Sequence, residues 1–440
     1  MKLSGWAKYP EIDSKVSSPY KTEDIIKLVK KGNVIARGNG RSYGDSAISL
    51  ENTIHMKNFN KIISFDSKTG QLIVESGVLL KDILKISIPK GWFPFVTPGS
   101  KFVTIGGMIA ADVHGKNHHK EGSFSNYVDW IEIIDNQGTK RRCSSTENPD
   151  LFTWTNGGMG LTGIILCAAI RLRPIKTGWI KQKTLIAKNI DEAIDIFENS
   201  LDSTYSVGWI DCLQKGKNIG RSVIMLGEHA NKNDMSGKKL GSLFEIPIKK
   251  KRTVLVNFPN WFLNKWSNKI FNNLYYWYNK RQPRDKLIDW DSFFYPLDSI
   301  LGWNKIYGRK GFAQFQCVIP QNESRKGLRA LLEKIESENL GSFLAVIKRF
   351  GEQESKFSFP MKGYTLALDF PINDKALKLM NDLDIITLKY NGRFYLAKDS
   401  RMSKETFYKS DKRSEIFRLF RKKQNTDNIF NSAQSTRLGL

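Results

Sequence analysis

Cysteine and histidine are scarce in this chain of 440 residues, which holds four cysteines and five histidines. Cys143, Cys167, Cys212 and Cys317 form no Cys-x-x-Cys pair, and hardly any histidine stands near them in the sequence. A structural zinc site or a disulfide framework is therefore not expected. Four reduced thiols are the simpler interpretation.

Long apolar runs are also lacking. The longest uncharged, largely apolar stretch covers residues 161–170, well short of the ~20 residues that a membrane-spanning helix needs. The N-terminal residues 1–6 lack the apolar segment of a signal peptide. We therefore expect a cytoplasmic protein, with peripheral contact at the inner face of the plasma membrane left open.

Acidic residues are outnumbered, with 44 Asp and Glu against 69 Lys and Arg and a formal charge of +25. Such a charge attracts polyanions or an anionic membrane surface. However, the basic residues are dispersed, and the chain has no RRM, KH or helix-turn-helix pattern. No nucleic-acid partner is therefore expected.

The length predicts two domains, and an apolar content of 40% is typical of globular proteins. Up to about residue 175 the pattern alternates short strands, turns and a few helices. Beyond Pro174, strand patterns such as 313–319 and 364–370 alternate with helix patterns such as 322–335 and 374–388. Sheets with helices on one face, an α+β fold, satisfy this order.

Glycine-rich segments carry the chemistry. Residues 36–45 hold three glycines in seven positions directly after a strand pattern, and residues 98–107 and 156–163 are similarly rich in small residues. Bare backbone amides in such turns form a nest for phosphate oxygens. Each segment alone is as consistent with a plain turn or hairpin, but the occurrence of all three in one domain favours a binding site.

Three of the five histidines, His114, His118 and His119, follow the second glycine-rich segment. Adjacent side chains on a strand or loop point in different directions, and no carboxylate at a suitable spacing completes a ligand set. No metal is expected.

The three segments, in this order and spacing, resemble the FAD-binding domain of the vanillyl-alcohol oxidase superfamily, the PCMH-type fold. Residues 114–119, 205–211, 359–361 and 392–401 extend the resemblance over nearly the whole chain, to the decaprenylphosphoryl-β-D-ribose 2′-oxidase family of bacterial cell-wall arabinose synthesis.

The resemblance implies a domain organisation. It predicts an FAD-binding domain at 1–178 and a substrate-binding domain at 179–392, whose antiparallel sheet is covered by helices. A basic and aromatic insertion covers about 232–292, and a C-terminal segment, 393–440, returns to the FAD domain.

FAD is the cofactor that the resemblance implies. Many relatives tether FAD to a histidine in the first turn, but the matching residue here is Arg41, which cannot form that bond. We therefore predict non-covalent FAD. The predicted cofactor-binding residues are Arg37, Gly38, Asn39, Gly40, Arg41, Ser42, Tyr43, Gly99, Ser100, Thr104, Gly106, Gly107, Ala110, His114, Gly115, Gly160, Ile165 and Tyr395.

The implied reaction is oxidation of the 2′-hydroxyl of a polyprenylphosphoryl-β-D-ribose by hydride transfer to flavin N5. The 2-keto product suits a short-chain dehydrogenase/reductase partner, which would complete an epimerisation. Lys398, Tyr43 and His114 are the predicted catalytic residues. The predicted substrate-binding residues are Lys116, Gln314, Gln316, Lys348, Thr365 and Lys398. Oxidation of a soluble aldonolactone, alditol or nucleotide sugar is the alternative.

Two features separate this chain from the family pattern or extend it. Ala367 replaces a cysteine in the family's Gly-x-x-x-Cys-x-Asp-Phe-Pro strand. Within the insertion, residues 259–281 interleave aromatic residues with Lys and Asn, and 249–252 are all basic. Aromatic and cationic side chains suit a membrane interface, while a helix packed on its own domain explains them equally well.

Overall fold

The computed structural model describes residues 1–235, 237, 241–246, 252–259, 264–342 and 344–440. Most of the predicted basic run, 249–251, and the aromatic residues Trp261 and Phe262 lie outside the described residues.

The first region combines three sheets with short helices, and the smallest sheet is the antiparallel pair of its first two strands. Its strands are β1 Lys2–Ser4, β2 Glu11–Asp13, β3 Lys15–Ser17, β4 Val34–Arg37, β5 Asn52–His55, β6 Ile62–Phe65, β7 Gln71–Glu75, β8 Trp92–Pro94, β9 Val128–Ile134, β10 Lys140–Ser144 and β11 Ile164–Pro174. Its helices are α1 Thr22–Lys31, α2 Leu80–Ser87, α3 Ile105–Ala110, α4 His118–Glu121 and α5 Pro149–Thr155. Strands β3, β5 and β4 form a parallel sheet, while β10, β9, β11, β7 and β6 form an antiparallel one.

The second region is built on one antiparallel sheet. Its strands are β12 Trp179–Ala187, β13 Tyr205–Ile210, β14 Ser222–His229, β15 Arg252–Thr253, β16 Asp285–Asp289, β17 Ile300–Leu301, β18 Phe312–Pro320, β19 Ala345–Phe350 and β20 Gly363–Pro371. Its helices are α6 Ile190–Glu198, α7 Lys265–Arg281, α8 Trp290–Phe294, α9 Ser324–Ser337 and α10 Asp374–Lys389. The sheet order is β16-β12-β14-β13-β19-β20-β18, and β15 pairs only with β17.

Helices α6, α9 and α10 pack on this sheet through one core. On α9, Leu328, Leu331, Leu332 and Ile335 are all buried, with the i, i+3, i+4, i+7 spacing of a helix that has one apolar face. This arrangement confirms the predicted two-domain α+β fold. It also leaves the opposite face of the sheet to the first region.

The C-terminal region contacts the antiparallel sheet of the second region and the parallel sheet of the first. Strand β21, Arg393–Phe394, pairs with β18, and α11 Lys404–Ser410, α12 Arg413–Lys423 and α13 Ala433–Leu438 follow. The amide of Val34 donates to the carbonyl of Ile429 (2.8 Å), so the chain end lies beside β4, where the first glycine-rich turn starts. The predicted boundaries at 178 and 392 stay predictions.

One segment without a predicted structure is helical, and one local expectation was wrong. Residues 105–110 form helix α3 despite two glycines, because Thr104 caps it and Ile105, Met108 and Ile109 are buried in the core. His118 and His119 lie on helix α4 rather than on a strand or loop. Within the described part of the chain, no helix combines the length and apolarity required to cross a bilayer.

Candidate active site

The first glycine-rich turn, residues 38–44, presents four consecutive backbone amides after β4. Among the described residues, no protein acceptor is hydrogen-bonded to the amides of Asn39, Gly40, Arg41 or Ser42. Gly40 has φ +59°, and a Cβ there would lie 2.4 Å from Nη2 of Arg37. Glycine is therefore required, and the turn presents the row of donors that phosphate oxygens bind.

The second segment packs against this turn. A Cβ on Gly38 would lie 2.1 Å from Oγ1 of Thr104, and Nδ2 of Asn39 donates to the carbonyl of Phe102 (2.7 Å). By contrast, a Cβ on Gly99 would meet nothing within 4 Å, since this residue borders open space. The first two segments therefore form one continuous backbone surface.

The third segment closes on α3. The amides of Gly157 and Met159 donate to the carbonyls of Ile109 (3.0 Å) and Ala110 (2.8 Å). Gly160, with φ +79°, follows them at the cavity wall. This contact brings the third turn beside the other two, as the combined pattern predicted.

A cavity of about 380 Å³ opens between these turns and the sheet of the second region. Most of the predicted site residues line it: Gly38, Asn39, Gly40, Arg41, Ser42, Tyr43, Gly99, Ser100, Thr104, Gly106, Gly107, Ala110, His114, Gly160, Ile165, Gln314, Gln316, Lys348, Thr365, Tyr395 and Lys398. Ala367, at the position of the family's cysteine, lines it as well.

Arg37, Gly115 and Lys116, three of the residues predicted to bind ligands, do not line this cavity. Nη2 of Arg37 donates to the carbonyl of Ser4 (2.7 Å), so this side chain supports the turn from behind. The ammonium of Lys116 donates to the carbonyl of Phe293 and lies 4.3 Å from the centroid of that ring. The backbone and the ring of Phe293 therefore both contact this ammonium.

Lys398 reaches the cavity from the C-terminal region. Its Nζ lies 3.4 Å from the centroid of the Tyr43 ring, and the amide of Tyr43 donates to the carbonyl of Ala397 (2.9 Å). Burial lowers the pKa of Lys398; the carboxylate of Asp369 opposes this, and the charge of Lys348 adds to it. Burial also raises the pKa of the Tyr43 phenol well above its usual value, so the hydroxyl stays neutral and can donate.

A carboxylate that was not predicted as a site residue, Asp369, also lines the cavity. Asp369 on β20 accepts from Nε2 of Gln314 (2.5 Å) and, at 3.5 Å, from the hydroxyl of Tyr307. Burial raises the pKa of Asp369. The signal was available, because Asp369 lies four residues from the predicted Thr365 and so on the same face of the strand.

Gln316, Thr365, Lys348 and His114 form the neighbouring part of the wall. Nε2 of Gln316 donates to Oγ1 of Thr365 (3.2 Å) and lies 3.4 Å from Nε2 of His114. Burial lowers the pKa of Lys348 to about 8. Burial, followed by the charge of Lys348, lowers the pKa of His114 well below its usual value, so this imidazole is neutral.

Metal binding receives no support from the histidines. Nε2 of His118 contacts Oε1 of Gln353, and Nε2 of His119 contacts the carbonyl of Ser203. Within the described ranges, no three His, Cys, Asp or Glu side chains are grouped as metal ligands would be.

Part of the lining forms an apolar wall that was not predicted. It consists of Leu297, Ile300, Leu301, Trp303, Leu344 and Val346, and Asp298 lines the cavity beside Leu297. These residues come from β17, β19 and the segments beside them, which the structure brings to the cavity from positions far from the glycine-rich turns.

The residues present fit FAD. The free amides of the first turn and the small residues of the second segment suit a diphosphate and a flat ring. Arg41 stacks on Trp6, with Cζ 3.9 Å from the ring centroid, and has no nucleophile for a covalent link to flavin. FAD is therefore held without a covalent bond at this position.

Comparisons with known proteins agree with this geometry. The FAD binding domain family matches residues 14–144. The chain is 35% identical to decaprenylphosphoryl-beta-D-ribose oxidase of Mycolicibacterium smegmatis, over 100% of this chain and 97% of the relative. L-gulonolactone oxidase of Bos taurus is 26% identical over 46% of each chain. Cytokinin dehydrogenase 2 of Arabidopsis thaliana is 28% identical over 42% of this chain and 41% of its own.

Cavity, cofactor fit and full-length similarity agree on one assignment. The chain belongs to the decaprenylphosphoryl-β-D-ribose oxidase family and is an FAD-dependent oxidoreductase that acts on the CH–OH group of a sugar.

Proposed function

We propose that this enzyme oxidises the 2′-hydroxyl of a polyprenylphosphoryl-β-D-ribose to the 2-keto sugar. When bound, FAD supplies the hydride acceptor, N5 of its ring. The protein has to bind the phosphate, orient the sugar carbon, shield the site from water and hold the proton of the hydroxyl. The relative in M. smegmatis is named for a substrate of this kind.

The observation that carries the proposal is a pair of lysines with little negative charge around them. Lys348 and Lys398 are half-buried, and both line the cavity. Among the described residues, no salt bridge joins either ammonium to a carboxylate, and Asp369 acts on Lys398 only through space. Enclosing two cations with so little compensation is unfavourable unless a ligand brings negative charge. A phosphodiester between ribose and a polyprenol does so, whereas a neutral lactone or alditol does not.

The apolar wall separates the remaining alternatives. Leu297, Ile300 and Leu301 lead from the cavity towards Leu255 and Val256, whose side chains are largely exposed. The amide of Val254 donates to the carbonyl of Leu301, which holds these segments together. A hydrocarbon chain matches this surface, while the base and ribose of a nucleotide sugar would leave polar groups without partners.

Tyr43, Lys398 and Gln314 are positioned to act on the sugar. The neutral phenol of Tyr43 donates to the reacting hydroxyl, which fixes the direction of its C–H bond. The Lys398 ammonium would stabilise negative charge that develops on a bound flavin. Because burial lowers its pKa, the Lys398 amine can also take up the hydroxyl proton. Asp369 orients the amide of Gln314 through their 2.5 Å hydrogen bond.

Anaerobic mixing tests the reaction and its substrate class together. FAD-loaded protein is mixed with polyprenylphosphoryl ribose, with the same ribose lacking the phosphate, with L-gulonolactone and with an alditol. We expect loss of the oxidised-flavin absorbance only with the phosphorylated lipid sugar. Faster reduction by the lactone or alditol would replace the proposal with the soluble-sugar alternative.

The 2-keto product needs a second enzyme if the sugar is to be epimerised. We propose a short-chain dehydrogenase/reductase as the partner, because such enzymes reduce ketones with a nicotinamide cofactor. A coupled assay that follows nicotinamide oxidation only when both enzymes are present would detect it. Nicotinamide oxidation without this enzyme would refute the coupling.

We further propose that α7 contacts an anionic membrane surface on the cytoplasmic side. Two asparagines of this helix face inward: Nδ2 of buried Asn268 donates to the carbonyl of Gly341, and Nδ2 of buried Asn272 to Oδ1 of Asp211 (each 2.8 Å). Its outward face carries Trp266, Ile270, Leu274, Trp277 and Tyr278, all exposed.

The positive charge along α7 favours an anionic surface as its partner. Lys265, Lys269, Lys280 and Arg281 are exposed along the same helix, which has no acidic residue. Aromatic and aliphatic side chains insert at the headgroup level, and cations attract anionic lipids. A membrane surface is where a polyprenyl substrate resides, so docking would bring the cavity to it.

Flotation with vesicles tests the contact. Wild-type protein should float with phosphatidylglycerol vesicles more than with phosphatidylcholine vesicles, and the double variant Trp266→Ser/Trp277→Ser should lose this binding. The matched control is Ile385→Ser/Ile416→Ser, which removes two equally exposed apolar side chains from α10 and α12. Indifference of the wild type to lipid charge, or equal loss in the control, would end the docking proposal.

A further inference from the structure

The loops that carry Tyr43 and Lys398 touch each other directly. Besides the hydrogen bond from the amide of Tyr43 to the carbonyl of Ala397, Gly44 meets Asp399 so closely that a Cβ would lie 2.2 Å from its carbonyl oxygen. The 3.4 Å contact between the Lys398 ammonium and the Tyr43 ring depends on this approach. Whatever holds these loops together therefore sets the geometry of the site.

A single arginine near the chain end joins them. Arg437 on α13 donates from Nε and Nη2 to the two carboxylate oxygens of Asp45 (3.2 and 2.9 Å). Nη2 also donates to Oδ2 of Asp399 (2.8 Å), and Nη1 to the carbonyl of Met402 (2.5 Å). Asp45 directly follows the first glycine-rich turn, and Asp399 directly follows Lys398. The guanidinium thus spans both loops.

The charges make this link a strong one. Asp45 and Asp399 are buried, with side chains 4% and 7% exposed, so their like charges repel in a poorly solvated place. Burial raises the pKa of Asp45, whereas Arg437 and two backbone amides outweigh burial and lower the pKa of Asp399. Nε2 of Gln434, also on α13, donates to the carbonyl of Leu396 (2.8 Å) and reinforces the same loop.

We propose that Arg437 is a positioning residue, which fixes Lys398 against Tyr43 by bridging Asp45 and Asp399. Arg437 does not line the cavity. Its planar fork can serve two carboxylates at once, which an ammonium on a flexible stem cannot do with the same directions. The inference rests on the roles proposed above for Lys398 and Tyr43.

Two readouts on FAD-loaded Arg437→Ala test it. Hydrogen exchange should become roughly tenfold faster at the amide of Tyr43 and in residues 396–400, because the loops separate. The limiting rate of flavin reduction at saturating substrate should fall about 10- to 100-fold, because a small misplacement of reacting groups is costly. The matched control is Arg418→Ala, which removes a partly exposed arginine and its ion pair with Glu415 on α12.

Arg437→Lys keeps the charge and tests the fork itself. We expect intermediate exchange and an intermediate rate, and this variant also decides the matter if Arg437→Ala fails to fold. Wild-type exchange at Tyr43 together with a wild-type rate in the folded variants would overturn the inference. If the wild-type flavin is not reduced by polyprenylphosphoryl ribose, the proposed function fails, while the exchange comparison still decides the role of Arg437.

Discussion

The cavity and helix α7 both break the usual rule that charged residues are exposed and apolar residues buried. The cavity does so with its cations, and α7 with its aromatic and aliphatic residues. The cavity half-buries Lys348 and Lys398, neither of which forms a salt bridge among the described residues, whereas α7 buries Asn268 and Asn272 and exposes Trp266 and its apolar neighbours. Lysines are seldom buried unpaired, and contiguous exposed apolar side chains usually mark an interaction surface. Both regions make physical sense when something outside the chain completes them, an anion in one case and a lipid surface in the other.

The largest effect should come from removing the cation beside the cofactor. Lys398→Ala should retain FAD, since the phosphate-binding turns are unchanged, but lower the rate of flavin reduction about 10²- to 10³-fold through lost charge stabilisation. Anaerobic stopped-flow absorbance measures this rate. Lys362→Ala, an exposed lysine paired with Glu352, serves as the control. A near-normal rate of flavin reduction would show that the Lys398 ammonium does not contribute to the reaction.

Lys348→Met separates binding from stability. Loss of the charged partner for the phosphate should weaken substrate binding by about 1.5–3 kcal/mol. In the same variant, unfolding of the ligand-free protein should become harder, because an uncompensated cation has been replaced by an apolar group of similar length. Substrate titration and thermal unfolding measure the two opposite changes. A fall in both the substrate affinity and the stability would contradict the interpretation of Lys348 as an uncompensated cation.

The lowered pKa of Lys348 predicts a pH dependence. Its folded-state pKa of about 8 lies below its ordinary value of 10.5, so the unfolded chain binds more protons between these pH values. The free energy of unfolding of the ligand-free protein should therefore rise with pH in this window, by at most about 1.4 kcal/mol per pH unit from this group.

Chemical denaturation at several pH values, with Lys348→Met as the reference, isolates this contribution. Affinity for the phosphorylated substrate should move the other way and decline above pH 8, as the ammonium loses its proton. An unchanged difference between wild type and variant across the window would contradict the assignment.

The smallest effects belong to α7. Asn272→Ala removes the hydrogen bond to Asp211, which still pairs with Arg221, and should lower the free energy of unfolding by about 1 kcal/mol. Trp266→Ser, on the outward face, should change it by no more than about 0.5 kcal/mol. Urea unfolding compares the two. If the exposed tryptophan proved the more costly to remove, α7 would be packed on its own domain rather than open to lipid.

Much of the site was predictable because its signals are local. Glycines at Gly38, Gly40 and Gly107 indicated bare backbone, and strand alternation put Gln314 and Gln316 on one face. Helix α3 was missed, since glycine disfavours helices and its stability comes from a cap and from burial in the core. Lys116 stays a predicted substrate-binding residue, although its ammonium donates to the carbonyl of Phe293, a contact that no local pattern indicates.

The sequence by itself determined the fold class, the backbone that can hold a diphosphate and the identity of the cations available to the site. These depend on backbone freedom, on residue periodicity and on charge, all of which can be read over short stretches. Only the tertiary structure decided that Asp369 lies beside Gln314 and that an apolar wall lines the same cavity as the lysines. The tertiary structure also decided that Arg437 joins Asp45 to Asp399, although Arg437 and Asp45 are more than 390 positions apart in the sequence. Such contacts are set by how distant elements pack, which no local pattern encodes.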